Sequence, residues 1–349
     1  MEQAMTYQPL VLVETSGLTR EEWLTYRRKG IGGSDAAAVL GISPFRTARD
    51  LYFDKLNIVT ADDAGNWVAM EMGTLLEDLV ARIFSKKTGL KIFQRKVMFQ
   101  HPLYPWMLAD LDYLVELPDG TLAILEIKTT NYNARDKWWY NGDEIVPVYY
   151  EAQGRHYMCV MNIDRVYFCC LYGNNEDEVI IRHIDRDASY EEELIALEDF
   201  FWHDNVLAKN PPPYTESGDL IMESLHRNFG PPVEDMAPIA ITYPQFTKVA
   251  RYLELQSEKS LYDAEVTRLE AEMKRLKALI AADMGNNRKA TYADDNTDYT
   301  ITFSSSRSPK ILKAGLERLK EQHPDIYDEY VTMSESSRMH IKRTARTAA

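Results

Sequence analysis

A chain of 349 residues, 45% hydrophobic and 11% aromatic, has enough apolar material to offset chain entropy, which excludes wholesale disorder and suits one sizeable domain with an appendage. A formal net charge of -14 excludes a protein that coats nucleic acid through its whole surface, though not one with a local basic groove. Three cysteines, two of them adjacent, fit neither a disulfide framework nor a zinc knuckle, and no signal peptide or long apolar run is present, so a soluble cytoplasmic protein without a membrane span is expected.

The first helix is announced by "TREEW", where Thr19 and Glu22 form a capping box. A short helix follows in "GIGGSDAAAVLG", with Ser34 or Asp35 as cap and Gly41 as stop. "SPFRTARDLYFDKL" and "MGTLLEDLVARIFSKKTG" carry apolar residues at helical spacing, the second closed by Gly89. From Leu90 the period changes to two, giving strands over "KIFQRKVMF", "WMLADLDYLVEL" and "TLAILEIKTT". A helix over "PVYYEAQGRHYMCVMN", strands over "RVYFCCLYG" and "EVIIRHI", and a helix from Ser189 to Leu207 complete a mixed sheet flanked by helices, an α/β core.

The prolines of "AKNPPPYTESGD" break the helix, which places the core at 1–208 and a Pro-rich linker at 209–240. Residues 241–349 form the appendage. A long helix starts near Pro244, and Leu255, Tyr262, Val266, Leu269, Met273, Leu276 and Ile280 fall on alternating steps of three and four, interrupted at Lys259. That narrow seam predicts a coiled coil or a helix packed on a partner. A β-hairpin over "GNNRKATYADDNTDYTITFSSS" and a terminal helical pair over "PKILKAGLERLKEQHPDIYDEYV" follow. Basic residues bunch at Arg20, Arg27, Arg28 and Lys29 and again at Arg338, Lys342, Arg343 and Arg346, as phosphate contacts or as solvated charge.

In "WMLADLDYLVELPDGTLAILEIKTT" the natural turn is Pro118-Asp119-Gly120, and pairing Leu117 with Thr121 sets Asp112 opposite Glu126. Lys128 shares their face, because side chains alternate along a strand. Two carboxylates this close repel, and burial sharpens the conflict unless a cation sits between them. Lys128 alone could supply it, as in a cross-strand salt bridge, or a divalent ion could, with waters and phosphate oxygens completing its shell. On its helix Glu77 lies beside the apolar stripe of Val80, Ala81 and Phe84, where it can point inward or simply favour the helix N-terminus.

The motifs "RRKGIGGSDAAAVLG", "GTLLEDLVARIF", "LADLDYLV", "LEIKTT" and "PVYYEAQGRHYM", in this order, resemble the YqaJ-type viral recombinases, the nuclease family of phage lambda exonuclease within the PD-(D/E)xK superfamily. The likeness covers roughly residues 18 to 205. It implies a restriction-endonuclease-like fold and a Mg²⁺-dependent (or Mn²⁺-dependent) DNA exonuclease of phage-type recombination. The enzyme would work 5'-to-3' on double-stranded ends beside a single-strand annealing protein, with homo-oligomers known in the family. By this resemblance Asp112 and Glu126, helped by the Ile127 carbonyl, are metal ligands, Lys128 is the catalytic lysine, Glu77 the helix-borne acid and Gln153 the active-site glutamine. Tyr157 lies one turn beyond Gln153 on the same face, and Arg28 and Ser34 match the positions that bind the 5'-phosphate. Asp110, two residues before Asp112, competes with it as ligand if the strand is bulged. An endonuclease of the same fold and a non-catalytic recombination scaffold acting through the C-terminal helices are the alternatives. Three cysteines cannot supply the four thiolates of the related iron-sulfur nucleases.

Overall fold

The computed structural model describes residues 7–58, 67–230, 236–293, 297–303 and 312–331. The chain divides into two compact units, residues 1–231 and 232–349. In the first, β1 (Leu10–Glu14) leads to α1 (Arg20–Arg27), β2 (Ile31–Gly32), α2 (Gly33–Val39), α3 (Ala48–Lys55) and α4 (Trp67–Thr88). Strands β3 (Lys91–Phe93), β4 (Val97–Gln100), β5 (Met107–Asp110), β6 (Tyr113–Glu116) and β7 (Leu122–Thr129) follow. After a 3₁₀ turn, the two-residue strands β8 (Trp139–Tyr140) and β9 (Asp143–Glu144) precede α5 (Val148–Met161), β10 (Arg165–Leu171), β11 (Val179–Asp185), α6 (Ala188–Phe200) and α7 (Gly218–Phe229).

The expected mixed α/β core is present, but its strands form two larger sheets. One has the order β1-β4-β5-β2 and the other β11-β10-β7-β6-β3. Two segments read from the sequence as single strands pass from one sheet to the other. "KIFQRKVMF" breaks into β3 and β4 around Gln94–Lys96, and "WMLADLDYLVEL" into β5 and β6 at Leu111 and Asp112. The hairpin register is the one counted from the turn, with Tyr113 opposite Leu125 and Glu116 opposite Leu122. Strand β10 runs parallel to β7 after the α5 crossover, placing Phe168 beside Glu126 and Cys170 beside Lys128.

Alternation along these strands sorts the core into two faces. Val115, Leu125, Ile127 and Cys169 pack on Val80, Ala81 and Phe84 of α4, while Leu114, Ile124, Phe168 and Cys170 face Met158 of α5. The adjacent cysteines thus serve opposite faces, buried and unpaired. Helix α5 lies close because Gly154 has no side chain: a Cβ there would come within 2.7 Å of Phe168.

Three local expectations need correction. Helix α2 begins at Gly33, so Ser34 and Asp35 lie inside it, and the Asp35 carboxylate accepts from the Gly32 amide. The helix expected to Leu207 ends as α at Phe200 and continues as a π-helical turn, Phe201–Leu207. The segment after residue 208 is not merely a linker. Arg49 Nε donates to the Pro212 carbonyl, Ser224 and Asn228 of α7 donate to Asp50, and Phe229 meets Phe53 edge-on. The amphipathic run of α7 therefore extends the first unit past the prolines that mark its expected end.

In the second unit α8 (Tyr243–Met284) is followed by the hairpin β12 (Lys289–Ala293) and β13 (Asp298–Thr302), then α9 (Lys313–Gln322) and α10 (Pro324–Tyr330). At the start of α8 Gln245 Oε1 accepts from the Thr242 amide at 2.7 Å and from its hydroxyl at 3.0 Å. The basic tail from Arg338 to Arg346 lies outside the described residues. Among the described residues no helix is long and apolar enough to cross a membrane.

Candidate active site

The two crossings between sheets lie side by side, and at them opens a cavity of about 440 Å³ lined by Trp23, Arg27, Ser34, Glu77, Asp110, Asp112 and Tyr157, among others. Asp112 sits where the chain leaves one sheet for the other, and its Oδ2 accepts from the Ile127 amide at 2.8 Å. Asp110, still in β5, lines the same cavity but is engaged differently: its Oδ2 accepts from Trp23 Nε1 at 2.7 Å. That leaves Asp112 as the acid tied to the Glu126–Lys128 segment.

Glu126 is 1% exposed on the α5 face of the sheet. Its Oε2 accepts from Lys128 Nζ at 2.9 Å and from Gln153 Nε2 at 2.8 Å, while Lys128 Nζ also donates to Gln153 Oε1 at 3.1 Å. This closed triangle joins strand to helix. Among the described residues Glu126 Oε1, though buried, has no hydrogen-bond partner. A buried carboxylate oxygen without a donor is costly and calls for a cation or water.

The electrostatics point the same way. Burial, and then the neighbouring Asp112 charge, push the Glu126 carboxyl up to about 8 against the pull of Lys128. Burial and Asp112 likewise push Glu77 up to about 7, and burial raises Asp112 itself, opposed by Lys128 and the Ile127 amide. Burial disfavours the Lys128 ammonium, but Glu126 and Asp112 outweigh it and hold the lysine protonated. Three acids that repel one another, offset by Lys128 and more weakly by Lys96, are short of positive charge.

Among the described residues no three His, Cys, Asp or Glu side chains form a metal nest by themselves. The donor set still fits a hard divalent ion, which usually takes one or two carboxylates and fills the remaining octahedral positions with water and phosphate oxygens. Glu77, from α4 on the opposite face, reaches the cavity and its Oε1 accepts from Gln94 Nε2 at 3.1 Å. Tyr157 lines the cavity, is hydrogen-bonded to Gln153, and presses on α2, where a Cβ on Gly33 would come within 2.5 Å of its ring.

At the other end of the cavity lies Arg27 rather than its neighbour Arg28, which the sequence singled out. Arg28 turns away and donates to the Asp54 carbonyl and carboxylate at 3.0 and 3.3 Å. Arg27 lines the cavity instead, its Nη2 donating to Ser34 Oγ at 2.7 Å and to Asp35 Oδ1 at 2.9 Å. Asp35 is fully buried, with Lys55 Nζ at 2.6 Å and Arg46 also bonded to it. Burial raises the Asp35 carboxyl, but Lys55, Arg27 and Arg46 overcome this and hold it well below 3.8. Gln94, Arg95 and Lys96 also line the cavity. Their one signal in the sequence was the polar interruption of an otherwise apolar strand.

The model of the YqaJ-like viral recombinase domain matches residues 22–164. The chain is 30% identical over 339 residues to the "Uncharacterized protein YqaJ" of Bacillus subtilis (strain 168), a match spanning 96% of this chain and 98% of the relative. Among solved structures, the alkaline exonuclease LHK-Exo of Laribacter hongkongensis aligns with TM-score 0.43 and 20% identity, over 54% of this chain and 94% of that one. A phage-related exonuclease from Haemophilus somnus aligns with TM-score 0.39 and 12% identity, over 52% and 96%. On the strength of the near full-length relative, this chain belongs to the family of YqaJ-like viral recombinases.

Proposed function

We propose that the chain is a divalent-metal-dependent deoxyribonuclease that resects double-stranded DNA ends 5'-to-3' in phage-type recombination. The observation that carries this reading is the buried Glu126 carboxylate, with one oxygen held by Lys128 and Gln153, the other without a donor among the described residues, and the Asp112 charge near enough to raise it. Asp112, Glu126 and the Ile127 carbonyl would hold the ion, Mg²⁺ or Mn²⁺, which when bound polarises the phosphodiester and lowers the pKa of water.

Lys128, held as an ammonium, serves as an orienting donor and a counter-charge to the developing negative charge rather than as a base. Gln153 keeps that ammonium aimed by accepting from it while donating to Glu126. Glu77, poised at about 7, is the acid best matched to proton transfer at neutral pH. Arg27 and Ser34, across the same cavity, are suited to hold a terminal phosphate, because a guanidinium beside a hydroxyl offers several convergent donors. We further propose that the chain acts beside a single-strand annealing protein and as a homo-oligomer, as the sequence resemblance implies.

Digestion of end-labelled linear duplex, with and without Mg²⁺ and with 5'-phosphate or 5'-hydroxyl ends, tests the reading. Mg²⁺-dependent shortening from phosphorylated 5' ends is expected. Cleavage of a covalently closed circle would make the protein an endonuclease, and no cleavage of any DNA with either Mg²⁺ or Mn²⁺ would overturn the assignment.

A further inference from the structure

Helix α8 spans 42 residues, and its apolar seam from Tyr252 to Ile280 is uncovered: the apolar side chains along it are between 41% and 66% exposed. The seam fills two alternating heptad positions, one occupied by Tyr252, Lys259, Val266, Met273 and Ile280 and the other by Leu255, Tyr262, Leu269 and Leu276. It extends about 42 Å at 1.5 Å per residue, four heptads, which is long enough for a stable two-helix contact.

The positions flanking such a seam choose the partner. From Glu258 to Glu272 every flanking residue is an acid: Glu258, Asp263, Glu265, Glu270 and Glu272. Three of them pair with bases of the same helix, Asp263 with Lys259 at 2.7 Å and Glu265 and Glu272 with Arg268 at 2.6 and 3.7 Å. These pairs are exposed and exchange readily for a better-placed cation. A second copy of α8 is a poor partner in either direction. In parallel it would set Glu258 against Asp263, Glu265 against Glu270 and Lys259 against itself. Antiparallel, it would set Glu265 against Glu272 and Asp263 against Glu270.

We propose that α8 is the docking element for a helix of another protein that carries apolar residues at heptad spacing flanked by lysine and arginine. Lys259 interrupts the seam and fixes the register, because a partner must meet it with an acid or an amide. This assignment is independent of the nuclease chemistry of the first unit.

Two synthetic four-heptad peptides serve as probes, both with Ile and Leu in the core positions except for one Asn placed to meet Lys259, one with Lys and the other with Glu at every flanking position. Titrated into the full chain and followed by fluorescence anisotropy, the Lys peptide should bind at least about tenfold tighter than the Glu peptide, with the gap narrowing as salt screens the flanks. The variant E258K/E265K/E270K/E272K should reverse the preference, and L269E/L276E should lose both peptides while circular dichroism shows the helix intact. Equal binding of the two peptides, or no binding, overturns the proposal. So does a change in the chain's own oligomeric state caused by L269E/L276E in sedimentation equilibrium, which would assign the seam to a second copy.

Discussion

Replacing Glu126 by Gln should stabilise the metal-free protein at alkaline pH while abolishing its chemistry. The folded protein holds a proton on Glu126 up to about 8, whereas in the unfolded chain that proton leaves near 4.5. Stability from this group is therefore fully present below 4.5 and is lost as pH rises toward and through 8. At about 1.4 kcal/mol per unit, the interval sets a ceiling of roughly 5 kcal/mol. Lys128 and Gln153 can follow the charge, and water can enter from the adjoining cavity, so about 2 kcal/mol is a working figure. For a unit of this size that is a melting shift of roughly 5 °C. Scanning calorimetry in chelator at pH 6 to 9 should show the native protein losing that much more than E126Q, with Mg²⁺ restoring the native protein alone. Parallel melting curves across the range would refute the reasoning, since Glu126 would then ionise without cost.

Other outcomes follow from the same geometry. K128A should lower the resection rate by at least about a hundredfold with its melting temperature within a few degrees of native, as single-turnover digestion and calorimetry would show. R27A should lose the preference for 5'-phosphorylated over 5'-hydroxyl ends while R28A keeps it, which competition between the two substrates would reveal. D35N leaves three cations around a neutral amide and should cost about 3 kcal/mol at pH 7 by denaturant unfolding. The native contribution of Asp35 is present above 3.8 and disappears as the carboxylate is protonated at lower pH, so D35N should flatten the acid limb of the stability curve. G154A should destabilise by about 2 kcal/mol, because the added methyl meets Phe168 at 2.7 Å, and should weaken the Gln153 contact with Glu126.

The hairpin was legible because one turn fixes everything attached to it. Pro118-Asp119-Gly120 sets the register of β6 against β7, and from it the shared face of Glu126 and Lys128 follows by alternation, while Asp112 falls just before β6 at the crossing between sheets. Less legible was the passage of two strand-like segments between sheets, since apolar alternation continues on both sides of each break. That passage brings Gln94, Arg95 and Lys96 to the cavity. Arg27 and Arg28 are consecutive at the end of a short amphipathic helix, the last helical residue and its C-cap, and the buried Asp35 and the nearby Asp54 decide which turns inward. Helix α7 was hidden by the prolines before it, because its anchor, Asp50, lies 174 residues away from Ser224 in sequence.

A crystal soaked in Mn²⁺ and measured at the manganese edge tests the central claim most directly. An anomalous peak within coordination distance of both Asp112 and Glu126, lost in E126Q, is the predicted result. A peak elsewhere, or none at millimolar Mn²⁺, would contradict it.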